Sequence, residues 1–170
     1  MNDESDGSDG DAFDWGAEVF DLVEEQVDEP EVLRFDVGGQ AFAFVAASVA
    51  EVTAPFAVTR LPGLPGYIPG VAVHRRNVMG VLDLAQFLEL EGEASDPSRF
   101  VVIEAGDLEA AVAVDEVTGL ELWPEDAESA TLLENVAARI REFAVSARWA
   151  PGGVVILLDA ARVLELASVR

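Results

Sequence analysis

Short runs in which apolar and polar side chains alternate follow one another along much of the chain, a pattern typical of β-strands. Residues 33–37 alternate in this way, Gly38-Gly39 follows, and residues 42–44 resume the alternation. Because glycine tolerates the backbone angles of a tight turn, this segment predicts a β-hairpin. Further short strands are predicted at residues 71–73, 78–82, 100–104 and 110–114, the last two separated by a turn at Gly106-Asp107.

One pattern occurs twice, 76 residues apart. Residues 81–88, Val-Leu-Asp-Leu-Ala-Gln-Phe-Leu, correspond to residues 157–164, Leu-Leu-Asp-Ala-Ala-Arg-Val-Leu. In each copy a buried strand ends in an aspartate, Asp83 or Asp159, which is positioned to cap a following short helix. The repetition predicts two similar subdomains, which we expect to be small β-barrels.

Negative charge is concentrated at the start of the chain. The 170 residues carry a net charge of -23, and residues 1–31 contain 13 acidic and no basic side chains. Nucleic acid and anionic membranes are therefore disfavoured as partners, because both would be repelled. All ten basic residues are arginine, a bias that either a GC-rich genome or adaptation to high salt explains.

Residues 1–30 are expected to form an acidic extension, separate from a folded domain over residues 31–170. Small and charged side chains predict disorder for residues 1–10, whose acidic residues lack the spacing of a calcium loop. Apolar residues at helical spacing from Phe13 to Val27 predict an amphipathic helix. It would dock on a partner, pack on the domain's own surface or stay unfolded.

The residue types that most catalytic mechanisms need are missing. The sequence has no cysteine, no lysine and one histidine, His74, which stands beside two arginines. Thiol, Schiff-base and multi-histidine metal chemistry are thereby excluded, and no phosphate-binding glycine motif is present. We expect no enzymatic activity, no cofactor and no metal site.

Location and nucleic-acid binding are constrained as well. No apolar run approaches the roughly 18 residues of a membrane span, and Met-Asn-Asp-Glu-Ser at the start does not resemble a signal peptide. These features predict a cytoplasmic protein without membrane insertion. Small β-barrels also suggest an oligonucleotide-binding domain, but the charge and the scarcity of paired aromatic and basic residues oppose it.

A loop rich in proline and glycine precedes the first copy of the repeated pattern. Residues 61–71 read Leu-Pro-Gly-Leu-Pro-Gly-Tyr-Ile-Pro-Gly-Val and are followed closely by His74-Arg75-Arg76-Asn77. Such a sequence cannot form a helix or a central strand, so it predicts a shaped loop of low conformational entropy. We interpret it as a docking element that leads into a strand presenting arginine.

This segment resembles the CheW family of chemotaxis coupling proteins, whose pattern is Pro-Gly-x-Pro, a Gly-Val strand, Asn-Leu-Arg-Gly and Pro-Val-x-Asp-Leu. Arg75, Asp83 and Leu84 fall on matching positions. The likeness covers about residues 32–166 with its spacing kept. Its other matching segments are residues 35–44, 49–52, 114–120 and 157–159.

The resemblance implies a mainly β, CheW-like fold of two small, intertwined five-stranded β-barrel subdomains with short helices. It implies a non-catalytic adaptor that couples the cytoplasmic tip of methyl-accepting chemoreceptors to the regulatory domain of a CheA-type histidine kinase, a domain of the same fold. Such an adaptor would act in the cytoplasm at membrane-associated receptor arrays. The alternative is a divergent CheW-like scaffold that binds a receptor or polar-array partner without kinase coupling.

Residues 130–149 carry conflicting signals. Apolar positions at helical spacing favour a helix that continues to Arg148, whereas the resemblance implies a strand at about residues 143–149. We favour the strand for the second half, because residues 154–158 need an antiparallel neighbour and Pro151-Gly152-Gly153 turns the chain back. A helix is predicted for residues 130–139.

Candidate contact residues follow from the resemblance. Arg75 matches the family's receptor-contacting arginine and Glu51 the glutamate near it, with His74 and Arg76 alongside. A charge-assisted hydrogen bond would orient the guanidinium of Arg75, unless the two form only an ordinary surface ion pair. Apolar residues expected around them, as docking surface or as core, are Val49, Val52, Leu64, Tyr67 and Ile68. Trp123 is the candidate contact for the kinase domain, or a buried aromatic.

The sequence also departs from the family pattern. Arg76 replaces the usual glycine after the key arginine, Gly80 replaces a proline, and Glu142 replaces a glycine near the last hairpin. Arg76 adds bulk and charge beside Arg75, so we expect the partner surface to differ and to offer an additional carboxylate. A member that has lost kinase binding would show the same departures.

Overall fold

The computed structural model describes residues 29–92, 96–125 and 128–167, and the amphipathic segment predicted at residues 13–27 lies outside them. The strands are β1 (Glu31–Val37), β2 (Gln40–Val45), β3 (Val49–Thr53), β4 (Gly70–His74), β5 (Asn77–Asp83), β6 (Arg99–Ala105), β7 (Leu108–Val114), β8 (Glu116–Leu122), β9 (Ala144–Ala150) and β10 (Gly153–Leu158). The helices are α1 (Leu84–Phe87), α2 (Ser129–Glu134), α3 (Ala138–Arg141) and α4 (Ala160–Ala167), and a 3-10 turn covers Ala46–Ser48.

The strands form two five-stranded sheets that repeat one arrangement. The first sheet has the order β8-β1-β2-β10-β9 and the second the order β3-β6-β7-β5-β4. Each contains two antiparallel hairpins joined through a parallel pair, β2 with β10 or β7 with β5. After its first hairpin the chain crosses to the second sheet with β3, and it returns with β8. The predicted mainly β fold with two five-stranded units is confirmed.

The two aspartates predicted as helix caps occupy equivalent places. The carboxylates of Asp83 and Asp159 each accept a hydrogen bond at 3.2 Å from the backbone N–H three residues further on, at the starts of α1 and α4. The backbone N–H of Asp83 donates to the carbonyl of Tyr67, and that of Asp159 to the carbonyl of Phe143, both at 2.8 Å. The repeat therefore extends from sequence to hydrogen bonding, and the capping role is confirmed.

Most large apolar side chains lie in one core that both sheets share. Strands of the first sheet contribute fully buried phenylalanines, and strands of the second contribute valine, leucine and isoleucine. The principal members are Phe35, Phe42, Phe44, Leu82, Phe87, Val101, Ile103, Val112, Phe143, Ile156 and Leu158. A smaller core lies within each sheet, around Met79 and Phe100 in the second and around Val32 and Trp123 in the first. Burial of this apolar area holds the sheets in one fixed arrangement.

The conflict over residues 130–149 is resolved in favour of the strand. The predicted helix is present but interrupted: α2 ends at Glu134 and α3 begins at Ala138. β9 then pairs with β10 through the turn at Pro151-Gly152. The strand prevails over local helix propensity because pairing with β10 satisfies its backbone groups and because Ala147 and Phe143 become fully buried.

Side chains, instead of backbone ladders, join the outer strands of each sheet. No backbone ladder pairs β8 with β9 or β3 with β4 within the described ranges, so the expected closed barrels are replaced by open sheets. In the first sheet Arg148 on β9 forms an ion pair with Glu121 on β8, and its guanidinium lies 5.1 Å from the ring centre of Trp123. In the second sheet Glu51 on β3 contacts the end of β4.

The turn between β4 and β5 has arginine at two positions where the backbone favours glycine. Its two central residues, Arg75 and Arg76, have φ angles of 50° and 69°, as a two-residue turn of type I′ requires. The corresponding positions in the β1-β2 turn are glycines, Gly38 and Gly39. A side chain at positive φ is disfavoured by contact with the backbone, so each arginine is held there at a cost in stability.

We predict that Arg76→Gly raises the free energy of unfolding by about 1 kcal/mol, because glycine adopts this φ angle without strain. Chemical denaturation measures the change. Arg162→Gly in α4 is the matched control and should lower the free energy of unfolding by about 1 kcal/mol, because glycine is disfavoured within a helix. Destabilisation by Arg76→Gly would contradict the assignment of strain to this turn.

Candidate functional site

The candidate contact residues Arg75 and Glu51 meet at the tip of the β4-β5 hairpin. Arg75 Nη2 lies 3.0 Å from Glu51 Oε1, and the second oxygen of the same carboxylate lies 3.0 Å from His74 Nε2. The side chain of Arg75 is 74% exposed, that of Glu51 26%. The carboxylate therefore bridges two neighbouring residues of the hairpin and orients a guanidinium whose remaining N–H donors face solvent.

His74 links this charged group to the interior of the second sheet. Its ring stacks on Phe56 with the centroids 4.6 Å apart, and Phe56 in turn meets Phe100 edge-on at 4.8 Å. The histidine is thus a packed residue that accompanies Glu51, and Arg75 extends beyond it. An exposed ion pair contributes little to stability, about 0–1 kcal/mol, so the arrangement serves mainly to position Arg75.

The proline-rich loop supports the hairpin from one side. Thr59 and Val71 exchange two backbone hydrogen bonds, of 2.7 and 2.9 Å, across the two ends of the loop. A Cβ atom at Gly70 would collide with the carbonyl of Thr59, so the close approach of these two segments requires glycine there. The loop is therefore fixed in shape, and its position relative to Arg75 is set by backbone hydrogen bonds.

The loop residues proposed as a docking surface differ in exposure. Ile68 is 4% exposed and belongs to the shared core, so of the two alternatives, docking surface or core, its burial agrees with core, and the loop turns this side chain inward. Leu64 and Tyr67 are half-buried, and the ring of Tyr67 meets Phe87 edge-on at 5.1 Å. These two retain partly exposed surface beside the core.

The two candidate valines on β3 also differ in exposure. Val49 is half-buried and packs on the shared core, whereas Val52 is 39% exposed. The register of β3 on β6 shifts between Val49 and Glu51, and the equivalent shift occurs where β8 pairs with β1. This irregularity re-aims Glu51 toward the hairpin.

Trp123 does not lie on the surface. It is 5% exposed, its Nε1 donates to Ser146 Oγ at 3.3 Å, and Arg148 packs against its ring. Of the two alternatives that the sequence left open, the burial agrees with the buried aromatic: the indole fills the gap between β8 and β9, where no backbone ladder forms within the described ranges. Its area serves the core of the first sheet.

Exposed apolar residues that sequence reasoning missed lie nearby on the same two strands. Leu120 and Leu122 on β8 are 60% and 59% exposed, and Val145 and Trp149 on β9 are 57% and 58% exposed. Glu121 points toward Arg148, so its neighbours on β8 point to the opposite face, which Leu33, paired with Leu120, turns to the shared core. We call these four residues the apolar strip. In the sequence these apolar residues alternate with the charged Glu121 and Arg148, and this alternation could have predicted two strands with one apolar and one charged face.

A second exposed apolar group adjoins Arg75. Val73 on β4 and Val78 on β5 lie directly opposite each other and are 67% and 68% exposed. Their neighbours Ala72 and Met79 are buried on the other face of the hairpin. The tip of the β4-β5 hairpin therefore carries an apolar pair followed by two arginines.

Other kinds of site find little support in the described residues. No group of three or more histidine or acidic side chains is placed there to hold a metal ion. No helix in the same ranges is long and apolar enough to cross a membrane. A cavity of about 450 Å³ is lined among others by Arg60, Asp83 and Asp115, and the carboxylates of these two aspartates accept hydrogen bonds from backbone N–H groups.

The chain is similar to a known family over nearly all described residues. The family model for the CheW-like domain matches residues 31–168. The chain is 34% identical over 101 residues to Protein PilI of Pseudomonas aeruginosa, covering 59% of this chain and 57% of PilI. It is 38% identical over 98 residues to Protein FrzA of Myxococcus xanthus, covering 56% of this chain and 61% of FrzA. The matched segments thus span less than two thirds of these two relatives.

A longer match and a solved structure agree with this similarity. Chemotaxis protein CheW of Thermotoga maritima is 25% identical over 142 residues, covering 84% of this chain and 92% of that protein. The crystal structure of scaffolding protein TtCheW from Thermoanaerobacter tengcongensis superposes with a TM-score of 0.64 at 20% identity. It covers 77% of this chain and 89% of that chain. The structural match supports the fold.

Trp123 is buried and Trp149 is exposed, so replacing them should have different effects on stability. Trp123→Ala should lower the free energy of unfolding by about 3–5 kcal/mol, because it leaves a cavity in the first sheet. Trp149→Ala, at an exposed position, should cost less than about 1 kcal/mol. Urea denaturation measures both changes. Equal, small losses would contradict the buried role of Trp123.

Proposed function

The chain belongs to the CheW-like domain family, and we propose that it is a non-catalytic adaptor that couples chemoreceptors to a CheA-type histidine kinase. In this proposal the protein acts at the cytoplasmic side of receptor arrays. It binds the cytoplasmic tip of a chemoreceptor with one surface and the regulatory domain of the kinase with another. Signalling then depends on the geometry in which the two partners are held.

The exposed guanidinium of Arg75 carries the proposal. It extends from a hairpin that is fixed by the Gly70 contact and is oriented by Glu51 at 3.0 Å. A charge that is oriented before binding fixes the register of a partner at little entropic cost. Val52 on β3, the residue after Glu51, is 39% exposed and supplies apolar area near it. We assign this surface to the receptor tip.

The apolar strip supports a second, separate surface. Its residues lie on β8 and β9 of the first sheet, whereas Arg75 lies on the second sheet. Exposed leucine, valine and tryptophan on two edge strands that the pair of Glu121 and Arg148 connects are typical of a protein interface. We assign this strip to the regulatory domain of the kinase, which takes over the contact role that the sequence suggested for Trp123.

Rigidity is the property that such an adaptor needs. The two proposed surfaces are connected through the shared core. The chain also passes directly from the first sheet into β3 of the second, and from β7 of the second sheet into β8 of the first. Displacement of one surface relative to the other would require the core to be repacked, which close-packed interiors resist. The proposal thus requires no catalytic group: position alone transmits the effect of one partner to the other.

We predict that Arg75→Ala weakens binding to the cytoplasmic fragment of a chemoreceptor about tenfold, a loss of about 1.4 kcal/mol. The melting temperature should change by no more than about 2 °C, because an exposed arginine contributes little to the fold. Isothermal titration calorimetry and thermal melting measure the two effects. Arg162→Ala, an exposed arginine on α4, is the control and should change neither. A melting temperature that collapses would make Arg75 a structural residue.

Replacement of both leucines of the apolar strip, Leu120→Ser with Leu122→Ser, should weaken binding to the kinase regulatory domain about tenfold or more. Receptor binding should stay within about twofold, because the strip lies on the other sheet. Leu166→Ser on α4 is the control, since Leu166 is also exposed, by 51%. No binding of the unaltered chain to the kinase domain, with receptor binding intact, would favour a scaffold without kinase coupling.

A further inference from the structure

Arg34 on β1 faces away from the shared core, at a position that is apolar in the second sheet. It pairs with Ala43 of its hairpin partner, as Val102 on β6 pairs with Ala111. The two alanines are equivalent, because each lies beside the first residue of one copy of the repeated pattern, at position 157 or 81. Val102 is 3% exposed and belongs to the second sheet's own core, whereas Arg34 brings a charge to that place.

Arg148 on β9 makes the same kind of replacement. It pairs with Val155, and the equivalent pair in the second sheet is Ala72 with Met79, since Val155 and Met79 both lie two residues before the repeated pattern begins. Ala72 is 2% exposed, so the first sheet again has a charge where the second has a core residue. The Nε atoms of Arg148 and Arg34 are buried, and neither has a hydrogen-bond partner in the part of the chain that the structure describes.

The two arginines differ in their partners. Arg148 forms the ion pair with Glu121 and lies against Trp123. Arg34 is half-buried, and its guanidinium forms no ion pair and no hydrogen bond within residues 29–92, 96–125 and 128–167. A buried N–H or charge without a partner is unfavourable, because it has lost its contact with water. Arg34 therefore requires a partner from outside these residues.

A cavity of about 340 Å³ lies between the β1-β2 and β9-β10 turns and is lined by Arg34. Its volume is in the lower part of the range for small-molecule sites, about 300–1,000 Å³. Asp36, two residues further along the same face of β1, lines it as well. Among the described side chains no ion pair joins Asp36 to Arg34. The cavity therefore presents one cation and one carboxylate that do not neutralise each other.

Gln40 adds a fixed acceptor to the cavity wall. Its Nε2 donates to the carbonyls of Ala41 and Val154, at 2.9 and 2.7 Å. Because both N–H donors are used, Oε1 is the polar atom of this amide that remains for a ligand. Asp36 and Gln40 are thus acceptors for an ammonium group, and Arg34 is a donor for a carboxylate. The rest of the wall consists mostly of small residues of the two turns.

The charge of the whole domain restricts the ligand further. Residues 32–170 contain 20 acidic and 10 basic side chains, so a simple anion is repelled over most of the surface. A simple cation would satisfy Asp36 but would leave Arg34 unpaired. A zwitterion has no net charge and can pair with both side chains.

We propose that this cavity binds a small zwitterion of the size of a free amino acid. The carboxylate of the ligand pairs with the guanidinium of Arg34, and its ammonium group contacts the carboxylate of Asp36 and Oε1 of Gln40. Alternate residues of a strand are about 6.5 Å apart, so β1 sets the spacing of the two charged contacts. The ligand supplies the partner that Arg34 lacks among the described residues. This site goes beyond the proposed adaptor function and does not depend on it.

Calorimetric titration of the full-length chain with each of the common amino acids tests the proposal. At least one should bind with a dissociation constant of about 1 mM or lower. It should also raise the melting temperature, because a ligand of the folded state stabilises that state. The matched probes are the same molecule without its amino group and the same molecule without its carboxyl group. Each should bind at least about tenfold more weakly, because it leaves one charge of the cavity unpaired.

Two substitutions locate the site. Arg34→Val introduces the residue type of the equivalent position in the second sheet. It should weaken amino-acid binding at least about tenfold without lowering the melting temperature of the free chain, because it removes an unpaired charge. Asp36→Asn should remove the preference for the amino acid over the molecule without the amino group, an effect that a merely structural residue would not produce. Arg162→Ala, at an exposed position of α4, is the control and should change neither property.

Three results would overturn the inference. The first is that no amino acid binds. The second is that the unaltered chain binds an amino acid and the molecule without the amino group equally, which would identify a simple anion site. The third is that Arg34→Val or Asp36→Asn retains the full affinity and preference. None of these measurements uses a receptor or a kinase, so the failure of this inference leaves the proposed function as it stands.

Discussion

The apolar core shared by the two sheets is the constraint on which the remaining structure depends. Phenylalanines from β1 and β2 pack with aliphatic side chains from β5, β6 and β7, and both short helices that follow the capping aspartates add residues to the same cluster. The chain passes from the first sheet into β3 of the second sheet and returns to the first with β8, so each sheet has an edge strand that directly follows the other sheet in the chain. The two sheets therefore form one body, and surfaces on opposite sheets keep a fixed separation.

The same type of ion pair occurs in both sheets, but its arginine is buried in one sheet and exposed in the other. Each sheet joins its outer strands through a glutamate that pairs with an arginine, Glu121 with Arg148 and Glu51 with Arg75. In the first sheet the arginine is mostly buried and lies against Trp123, so the pair belongs to the core. In the second sheet the arginine is exposed at a hairpin tip, which leaves its outer face open to a partner. The difference in burial, not the type of pair, is the reason why we propose Arg75, and not Arg148, as a contact for a partner.

Local patterns in the sequence predicted the hairpins well, because alternation and turn glycines act over a few residues. β3 and β8 were not assigned as strands. Each is the first strand after the chain passes from one sheet to the other, so its partner strand lies far away in the chain, and β8 also exposes Leu120 and Leu122. Ile68 and Trp123 show the same limit, since whether an apolar residue is core or contact depends on which way the completed sheet turns it. The contact between Arg75 and Glu51 was found through the family pattern, whereas the positive φ of Arg76 required the structure.

The central claim is that two separate surfaces on one rigid body bind two partners at once. Calorimetric titration of the receptor cytoplasmic fragment into the chain, first alone and then saturated with the kinase regulatory domain, tests it most directly. The account predicts binding of the receptor fragment in both titrations, with one molecule bound per chain, and a ternary complex in sedimentation. Displacement of the kinase domain by the receptor fragment would show that both compete for one surface and would contradict the account.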